Sequence, residues 1–245
     1  MRRPWVIGHR GAPGHAPENT IASFRRAVEL GAAFIETDLR LSRDARFVAM
    51  HDPTVDRTTN GKGLVRELTL AELRELDAGS WYGPQFAGES IPSIEEILNF
   101  AREADIVVYL EMKVEETWGM HHALVSALRA AKESARTMII SFDAIFLENV
   151  RKLDTTLLTG FLYEQPMADA IEKAQRIGVR QILPRADLAA PELVTAAHAA
   201  DLQVATWTVD DPQSMRELIS ADVNGIMTNY PDRLSLTIAD CFKED

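Results

Sequence analysis

The stretch Trp5-Val-Ile-Gly-His-Arg-Gly11 shows the pattern that decides the fold, a short apolar run that ends in polar side chains and glycine. A second apolar run leads to Glu36-Thr-Asp38, a third to His51, and a fourth to Glu111-Met-Lys113. Potential metal ligands and proton carriers therefore stand at or near the ends of apolar runs. Such runs, bounded by polar residues and glycine, are typical of buried strands.

Segments with helical spacing separate these runs, as Ile21, Phe24 and Val28 illustrate. The segments 165–177 and 190–200 are alanine-rich helix candidates, and 231–239 is expected to close the ring. Strands that alternate with helices favour an α/β fold, here an eight-stranded TIM barrel, with an open doubly wound sheet as the competing architecture. The predicted strands are 5–9, 34–41, 106–112, 137–142, 157–162, 180–184, 203–208 and 225–228.

Two features interrupt the alternation. Residues 43–46 form a plausible turn before Phe47-Val-Ala-Met50, and a hairpin centred near 44–45 would place His51 roughly opposite Asp38. Residues 52–92 have no clear place in the repeat. An insertion after the second barrel strand is expected to cap the mouth rather than form a separate domain, so the chain is predicted to be a single domain over 1–245.

Composition narrows the function classes. The 245 residues carry a net charge of −11, which argues against a broad nucleic-acid-binding surface, since such surfaces are basic. The single cysteine, Cys241, excludes an intramolecular disulfide and a thiolate metal site. No apolar run approaches the roughly 18 residues of a membrane span, and the run after Arg3 is too short for a signal peptide. A cytoplasmic location is expected, and the oligomeric state is not indicated.

Glu36 and Asp38 are the first candidate metal ligands. Alternate residues of a strand share a face, and two carboxylates in a small space repel unless a cation or a proton intervenes. Glu111 would complete an oxygen-only site suited to Mg²⁺ or Ca²⁺. The alternative is that the pair forms ion pairs with Arg40 or Arg43.

His9 and His51 are candidates for acid–base chemistry, because imidazole exchanges protons near neutral pH and both lie beside the predicted carboxylate cluster. The other histidines, at positions 15, 121, 122 and 198, are expected to be structural or surface residues. No His-x-His pair follows the first strand, which counts against a zinc hydrolase.

Arg10 and Lys113 are candidate phosphate ligands, Arg through its planar fork and Lys as a movable charge. Lys113 shares a strand face with Glu111 and would alternatively only neutralise it. Trp207 would contact substrate or pack under the last helices. The aromatic residues of 81–86 would line an entrance or, as we favour, form a small core for the insertion.

Several long motifs occur in an order that resembles the glycerophosphodiester phosphodiesterase family over nearly the whole chain. The motifs are His9-Arg-Gly-Ala-Pro-Gly-His-Ala-Pro-Glu-Asn-Thr20, Ile35-Glu-Thr-Asp38, His51-Asp-Pro-Thr-Val-Asp-Arg-Thr-Thr-Asn-Gly61, Gly79-Ser-Trp81, Ile91-Pro-Ser-Ile-Glu95, Leu110-Glu-Met-Lys113, Ser141-Phe142 and Trp207-Thr-Val209.

This resemblance implies a TIM barrel with a capping insertion, and hydrolysis of glycerophosphodiesters to glycerol 3-phosphate and an alcohol such as choline or ethanolamine. One departure follows Trp207, because family members commonly have Asn where this chain has Asp210. The added negative charge would alter the mouth and puts the usual asparagine contact in doubt. The resemblance also implies the roles of the candidates: a divalent cation on Glu36, Asp38 and Glu111, acid–base catalysis by His9 and His51, and phosphate contacts from Arg10 and Lys113.

Two other function classes remain open. One is a different enzyme on a similar barrel, such as a metal-dependent sugar isomerase or an endonuclease, although the net negative charge argues against DNA. The other is a binding module that holds the cation and head group without cleavage. That interpretation requires an incomplete catalytic set, and none of the proposed residues is missing.

Overall fold

The computed structural model describes residues 2–113, 119–132 and 134–243. The strands found in these segments form one sheet. In chain order the strands are β1 Trp5–Gly8, β2 Phe34–Leu41, β3 Phe47–Ala49, β4 Val107–Met112, β5 Thr137–Ser141, β6 Leu158–Tyr163, β7 Gln181–Pro184, β8 Gln203–Thr206 and β9 Gly225–Thr228.

Eight of these strands close into a parallel barrel. The sheet runs β1-β9-β8-β7-β6-β5-β4-β2, and β1 also pairs with β2, so the first and last barrel strands of this order are joined. An open doubly wound sheet has two free edges, and that alternative is therefore wrong. The TIM barrel is confirmed, and each predicted barrel strand agrees with the structure to within two residues at either end.

The α-helices pack outside the barrel, except for one short helix between β3 and β4. Several begin where a side chain accepts a hydrogen bond from the first turn, as Thr20 does from the backbone N–H of Ser23. The predicted helix over 165–177 begins later, at Ala170. Pro166 disfavours helical backbone at Gln165, which is the first residue of the predicted range. The helices are α1 Ile21–Glu29, α2 Leu70–Arg74, α3 Ile94–Ala104, α4 Met120–Ala131, α5 Ala144–Leu153, α6 Ala170–Ile177, α7 Pro191–Ala199, α8 Pro212–Ser220 and α9 Pro231–Cys241.

Each barrel strand contributes to two apolar layers. Alternate residues point inward and form a core inside the barrel, while the others pack against the helices. Toward the carboxyl ends of the strands, many of the inward-pointing side chains are polar. TIM barrels carry their active sites at this end. The residues of the inner core are Ile7, Tyr109, Met138, Ile140, Leu162, Leu183, Ala205 and Met227.

The predicted hairpin is present and joins β2 to β3 in antiparallel register. Leu39 is opposite Ala49, and the backbone N–H of Met50 donates to the carbonyl of Asp38 at 3.0 Å. Met50 is thus directly opposite Asp38, and His51 follows one residue beyond, close to the approximate pairing that was predicted. The carbonyl of His51 accepts hydrogen bonds from Arg40 Nε at 2.8 Å and Nη2 at 2.6 Å.

The segment between β3 and α3 contains α2 and two 3₁₀ turns, Val65–Glu67 and Pro84–Phe86. Its apolar core is aliphatic rather than aromatic, so our preferred interpretation of the aromatic residues is wrong. Trp81 is 41% exposed, and Tyr82 makes edge-to-face contacts with Trp81 and Phe86. The core residues are Val48, Met50, Val55, Val65, Leu73, Ala78 and Ile91, of which the first two extend it to the hairpin.

None of the described helices has the length and apolar character needed to cross a bilayer.

Candidate active site

Three buried carboxylates meet at the mouth of the barrel. One oxygen from each of Glu36, Asp38 and Glu111 lies within 4.8 Å of the other two. Glu36 and Asp38 are alternate residues of β2, and Asp38 is paired in register with Glu111 on β4. The strand period and this register together bring the three predicted ligands to one place.

The carboxylates are only partly satisfied by hydrogen bonds. Glu36 Oε2 accepts from the backbone N–H of Arg10 at 2.9 Å, and Asp38 Oδ2 accepts from Asn19 Nδ2 at 2.8 Å. Glu36 Oε1 is buried and has no hydrogen-bond partner among the residues described. A buried oxygen without a donor beside two further carboxylates fits a hard divalent cation, which takes oxygen ligands.

The electrostatics of the cluster are asymmetric. Burial and then the charge of Asp38 raise the pKa of Glu36 to about 8 and that of Glu111 to about 7. Burial also opposes ionisation of Asp38, but Lys113 and Arg10 outweigh it and hold the pKa of this carboxyl well below its usual range. Near neutral pH, full ionisation of the cluster therefore requires additional positive charge.

Two cations already contact the cluster. Arg10 Nε lies 3.1 Å from Asp38 Oδ2, and its Nη1 donates to Glu18 Oε1 at 2.9 Å. Lys113 Nζ lies 2.9 Å from Asp38 Oδ1 and also donates to Glu111 Oε1. The contact of Lys113 with Glu111 is the one expected if Lys113 only neutralises that carboxylate. Contact of Arg10 or Lys113 with phosphate stays a prediction.

The proposed ion pairs of Glu36 and Asp38 with Arg40 or Arg43 are wrong. Arg40 donates to the carbonyl of His51, and Arg43 Nη2 donates to Glu72 at 3.0 Å.

His9 and His51 lie on one cavity of about 320 Å³ together with Glu111 and Lys113. His9 Nδ1 is 2.8 Å from Asn229 Oδ1, whereas His51 Nδ1 is 2.7 Å from the carboxylate of Asp52. Burial, followed by the charge of Arg10, lowers the pKa of His9. Burial is also the largest cause of the lowered pKa of His51, so the neutral imidazole is favoured at both positions.

Three further side chains line the other side of this cavity, namely Phe142, Glu164 and Trp207. The indole N–H of Trp207 donates to the carbonyl of Leu183 at 2.8 Å, and its ring packs against the inner core. Phe142 meets Trp207 edge to face with the ring centroids 5.4 Å apart, and is itself 42% exposed. Trp207 thus packs on the core and also faces the cavity.

A chain of ion pairs connects His51 to Arg10 through the segment that follows the hairpin. Arg57 Nε donates to Asp52 Oδ2 at 2.6 Å, and its Nη atoms donate to both oxygens of Glu18 at 2.8 and 2.9 Å. Glu18 in turn accepts from Arg10. Hydrogen bonds from Arg57, against a smaller effect of burial, lower the pKa of Asp52 to about 2, so Asp52 is ionised beside His51.

Both carboxylate oxygens of Asp210 accept hydrogen bonds, so its charge is paired, and its effect on the mouth stays a prediction. Its Oδ1 accepts from the backbone N–H of Asn229 at 2.8 Å and from Thr228 Oγ1 at 3.0 Å, and its Oδ2 accepts from Asn229 Nδ2 at 2.6 Å. The charge is therefore directed at the residue that contacts His9.

Sequence reasoning missed several of these residues. Phe142, Glu164 and Asn229 each stand two positions beyond an inner-core residue, so the strand period carried a signal that would have found them. Asn19 and Arg57 lie in loops and reach the site only through tertiary contacts, for which strand and helix periodicity give no signal.

Comparison with known proteins places the sequence among glycerophosphodiester phosphodiesterases. Residues 9–233 match the model of the glycerophosphoryl diester phosphodiesterase family. The chain is 38% identical over 231 residues to a glycerophosphodiester phosphodiesterase of Caldanaerobacter subterraneus subsp. tengcongensis, covering 94% of this chain and 95% of that protein.

Solved structures agree with the sequence matches. A putative glycerophosphoryl diester phosphodiesterase from Silicibacter pomeroyi superposes with a TM-score of 0.89 at 28% identity, over 97% of this chain and 94% of that one. A phosphodiesterase from Oleispira antarctica, in complex with the product sn-glycerol-3-phosphate, also gives 0.89 at 28% identity, over 96% of each chain.

Proposed function

The chain belongs to the glycerophosphoryl diester phosphodiesterase family, and from that premise we propose that it hydrolyses glycerophosphodiesters to glycerol 3-phosphate and an alcohol. Glycerophosphocholine and glycerophosphoethanolamine are the proposed substrates. The observation that carries the proposal is the trio of buried carboxylates on a cavity lined by two imidazoles. The product bound by the Oleispira antarctica enzyme supports the choice of substrate class.

Glu36, Asp38 and Glu111 are the proposed ligands of one divalent cation, Mg²⁺ or Ca²⁺. Their donors are all oxygens, and Glu36 Oε1 is buried without a hydrogen-bond partner in the described part of the chain. When bound, such an ion supplies positive charge that polarises the phosphate and lowers the pKa of a hydroxyl group beside it.

His9 and His51 are the proposed acid–base pair. One imidazole takes a proton from the attacking hydroxyl, and the other gives a proton to the departing alcohol. Attack by the glycerol hydroxyl of the substrate would give a cyclic phosphate that water then opens, and direct attack by water is the alternative. Both routes place one oxygen of water on the product phosphate, so detection of the cyclic phosphate during a single turnover is the measurement that distinguishes them.

Arg10 and Lys113 are the proposed phosphate contacts. Both are charged groups held at the cluster by ion pairs with Asp38. Positive charge placed where negative charge develops on the phosphoryl oxygens stabilises the transition state.

Phe142, Trp207 and Glu164 are proposed to contact the alcohol portion of the substrate. Choline and ethanolamine carry a positive charge, and aromatic faces attract such groups through cation–π interactions. Glu164 is exposed on the same cavity and adds a negative charge. This wall supports a cationic alcohol as the leaving group.

A coupled assay tests the proposal directly. The purified protein is incubated with glycerophosphocholine and either Mg²⁺ or Ca²⁺, and release of glycerol 3-phosphate is followed, with a chelator as the control. We expect product with at least one ion and none with the chelator. Absence of product with either ion would contradict the proposed reaction, and substrate binding without turnover would favour a binding module.

Glu36→Gln is the matched variant for the metal assignment. It removes a charged ligand with little change in shape, so we expect both activity and affinity for the cation to fall. Unchanged affinity, measured by titration calorimetry, would remove Glu36 from the ligand set.

A further inference from the structure

Asn229 lies between His9 and Asp210 and is bonded to both. Its Nδ2 donates to Asp210 Oδ2 at 2.6 Å, while its Oδ1 is 2.8 Å from His9 Nδ1. The backbone N–H of Asn229 donates to the other carboxylate oxygen of Asp210. Each polar atom of the amide therefore has one partner, and the two partners differ in chemistry.

The carboxylate of Asp210 fixes which way the amide of Asn229 points. A carboxylate only accepts hydrogen bonds, so the NH₂ group must face Asp210 and the amide oxygen must face His9. The reversed amide would place its oxygen against Asp210 Oδ2, where neither atom can donate. Asp210 itself is held, because Thr228 Oγ1 donates to its side chain and Arg233 Nη1 donates to its carbonyl at 2.6 Å.

The orientation of Asn229 in turn fixes the proton on His9. An amide oxygen only accepts, so the hydrogen bond at 2.8 Å requires a proton on Nδ1. In a neutral imidazole the other nitrogen, Nε2, then carries a free lone pair. The charged groups that act on this ring are Arg10, Asp38 and Glu111.

We propose that Asp210 is a positioning residue that, through Asn229, holds His9 in the Nδ1-protonated tautomer and so leaves Nε2 ready to accept a proton. Among the described residues, the side chain of Asp210 bonds to Thr228 and Asn229 and does not line the cavity, so Asn229 is the group that links it to His9. The inference rests on the proposed hydrolysis for its effect on rate, but the tautomer itself is independent of turnover.

The kinetic test compares Asp210→Asn with Asp211→Asn. The two changes remove the same charge from adjacent positions, but Asp211 accepts from the backbone N–H of Ser214 at the start of α8 and is not bonded to Asn229. The side chain of Asn at position 210 has one oxygen and one NH₂ group, so the NH₂ group must face a group that now donates to Asp210. The amide of Asn229 therefore loses its fixed orientation.

We expect Asp210→Asn to lower kcat for glycerophosphocholine by about 10- to 100-fold, by analogy with the loss of a group that orients a metal-binding histidine, with KM within about twofold. Asp211→Asn should match the wild type, because Asn also caps helices. Equal kcat for Asp210→Asn and wild type would overturn the proposal.

Nitrogen NMR reports the tautomer of His9 directly. A purely structural role of Asp210 would leave that tautomer unchanged. The imidazole ¹⁵N shifts of His9, assigned by their loss in His9→Gln, should show a protonated Nδ1 and an unprotonated Nε2 in the wild type, and mixed tautomers in Asp210→Asn. A wild-type ring protonated at Nε2 would overturn the proposal, even for a protein without hydrolase activity.

The exchange Asp210→Asn with Asn229→Asp covers the case in which the single variant folds poorly. A carboxylate at 229 again only accepts, so the Nδ1-protonated tautomer should return. We expect kcat to recover relative to Asp210→Asn, and a folded double variant without the Nδ1 proton would contradict the proposal.

Discussion

His9 and His51 differ in the group that contacts Nδ1, and this is the main asymmetry of the site at the residue scale. His9 meets the neutral amide of Asn229, and His51 meets the carboxylate of Asp52. A carboxylate stabilises the imidazolium, while an amide oxygen mainly selects a tautomer. Two histidines on one cavity therefore have unequal tendencies to hold a second proton.

Replacing either histidine tests the acid–base assignment. We expect His9→Ala and His51→Ala each to lower kcat by about 10²- to 10⁴-fold, the usual effect of losing proton transfer. The unfolding temperature should change little, because both rings lie on the cavity rather than in the inner core. His122→Ala, at an exposed position of α4, is the control. Turnover near that of wild type in both variants would reject the assignment.

Glu164→Gln tests the preference for a cationic alcohol. The change removes one exposed charge at nearly constant shape, so we expect KM for glycerophosphocholine to rise about two- to fivefold, as for an exposed ion pair. KM for glycerophosphoglycerol, whose alcohol is neutral, should stay constant. Steady-state kinetics with both substrates measure the difference, with Glu172→Gln on the exposed side of α6 as the control. An equal change for both substrates would argue against charge recognition.

The residues that the sequence predicted share one property. Glu36, Asp38, Glu111 and His9 belong to regular strand rows, so the period of two and the parallel order were sufficient to predict their convergence. The Asn19 contact with Asp38 depends on where a loop crosses the mouth. Such contacts depend on loop conformation, which short-range patterns do not encode.

At the scale of elements, the segment after the hairpin is joined to the mouth by ion pairs as well as by its aliphatic core. Arg57 bridges Asp52, which orients His51, and Glu18, which contacts Arg10. The prediction that this segment caps the mouth gains a physical basis from these contacts. Under the proposed role of His51, we expect these contacts to link the conformation of the segment to catalysis.

Arg57→Met tests this coupling. It keeps much of the side-chain length but removes both ion pairs, so Asp52 loses the partner that depresses its pKa and holds its carboxylate toward His51. We expect kcat to fall about tenfold, as for loss of a supporting contact behind a catalytic residue.

Lys62→Met, at an exposed position of the same segment, is the matched control for charge and length. Steady-state kinetics of both variants measure the effect. Equal kcat values for Arg57→Met and Lys62→Met would show that the segment does not act on His51.

At the scale of the whole molecule, the closed barrel encloses a group of acids above an apolar interior. The folded state raises the pKa of Glu36 to about 8 and of Glu111 to about 7, mainly through burial. Raised pKa values mean that the protonated acids favour the folded state. Their contribution is complete below the pKa of the unfolded chain and is lost as pH rises through 7 to 8.

Thermal unfolding with a chelator should therefore show a Tm that falls between pH 7 and pH 9. Asp38 has a lowered pKa, and its contribution is lost only at acidic pH, outside this window. Mg²⁺ or Ca²⁺ should raise Tm more at pH 9 than at pH 7, because metal binding requires deprotonated ligands. A chelated Tm that rises over this range would contradict the raised pKa values.

Glu36→Gln and Glu111→Gln are the controls for this experiment. Each removes one titrating group and should flatten the chelated profile. Circular dichroism at fixed ionic strength measures all of these curves.

The barrel itself was predictable because eight apolar runs alternate with helical segments of matching length. The hairpin register was predictable only to within one residue, because turn geometry rather than strand pattern sets the pairing. The barrel closes where β1 pairs with β2. The alternation of strands and helices along the sequence is compatible with this pairing but does not determine it.

The separation of the inner core from the polar residues above it has a consequence for how such a protein diversifies. Phe142 and Glu164 have little packing to lose, since both are exposed, whereas Trp207 is bonded to Leu183 and packed on the core. If these two residues contact the alcohol as proposed, we expect natural variation or laboratory selection at these positions to change the choice of leaving group while the scaffold stays intact.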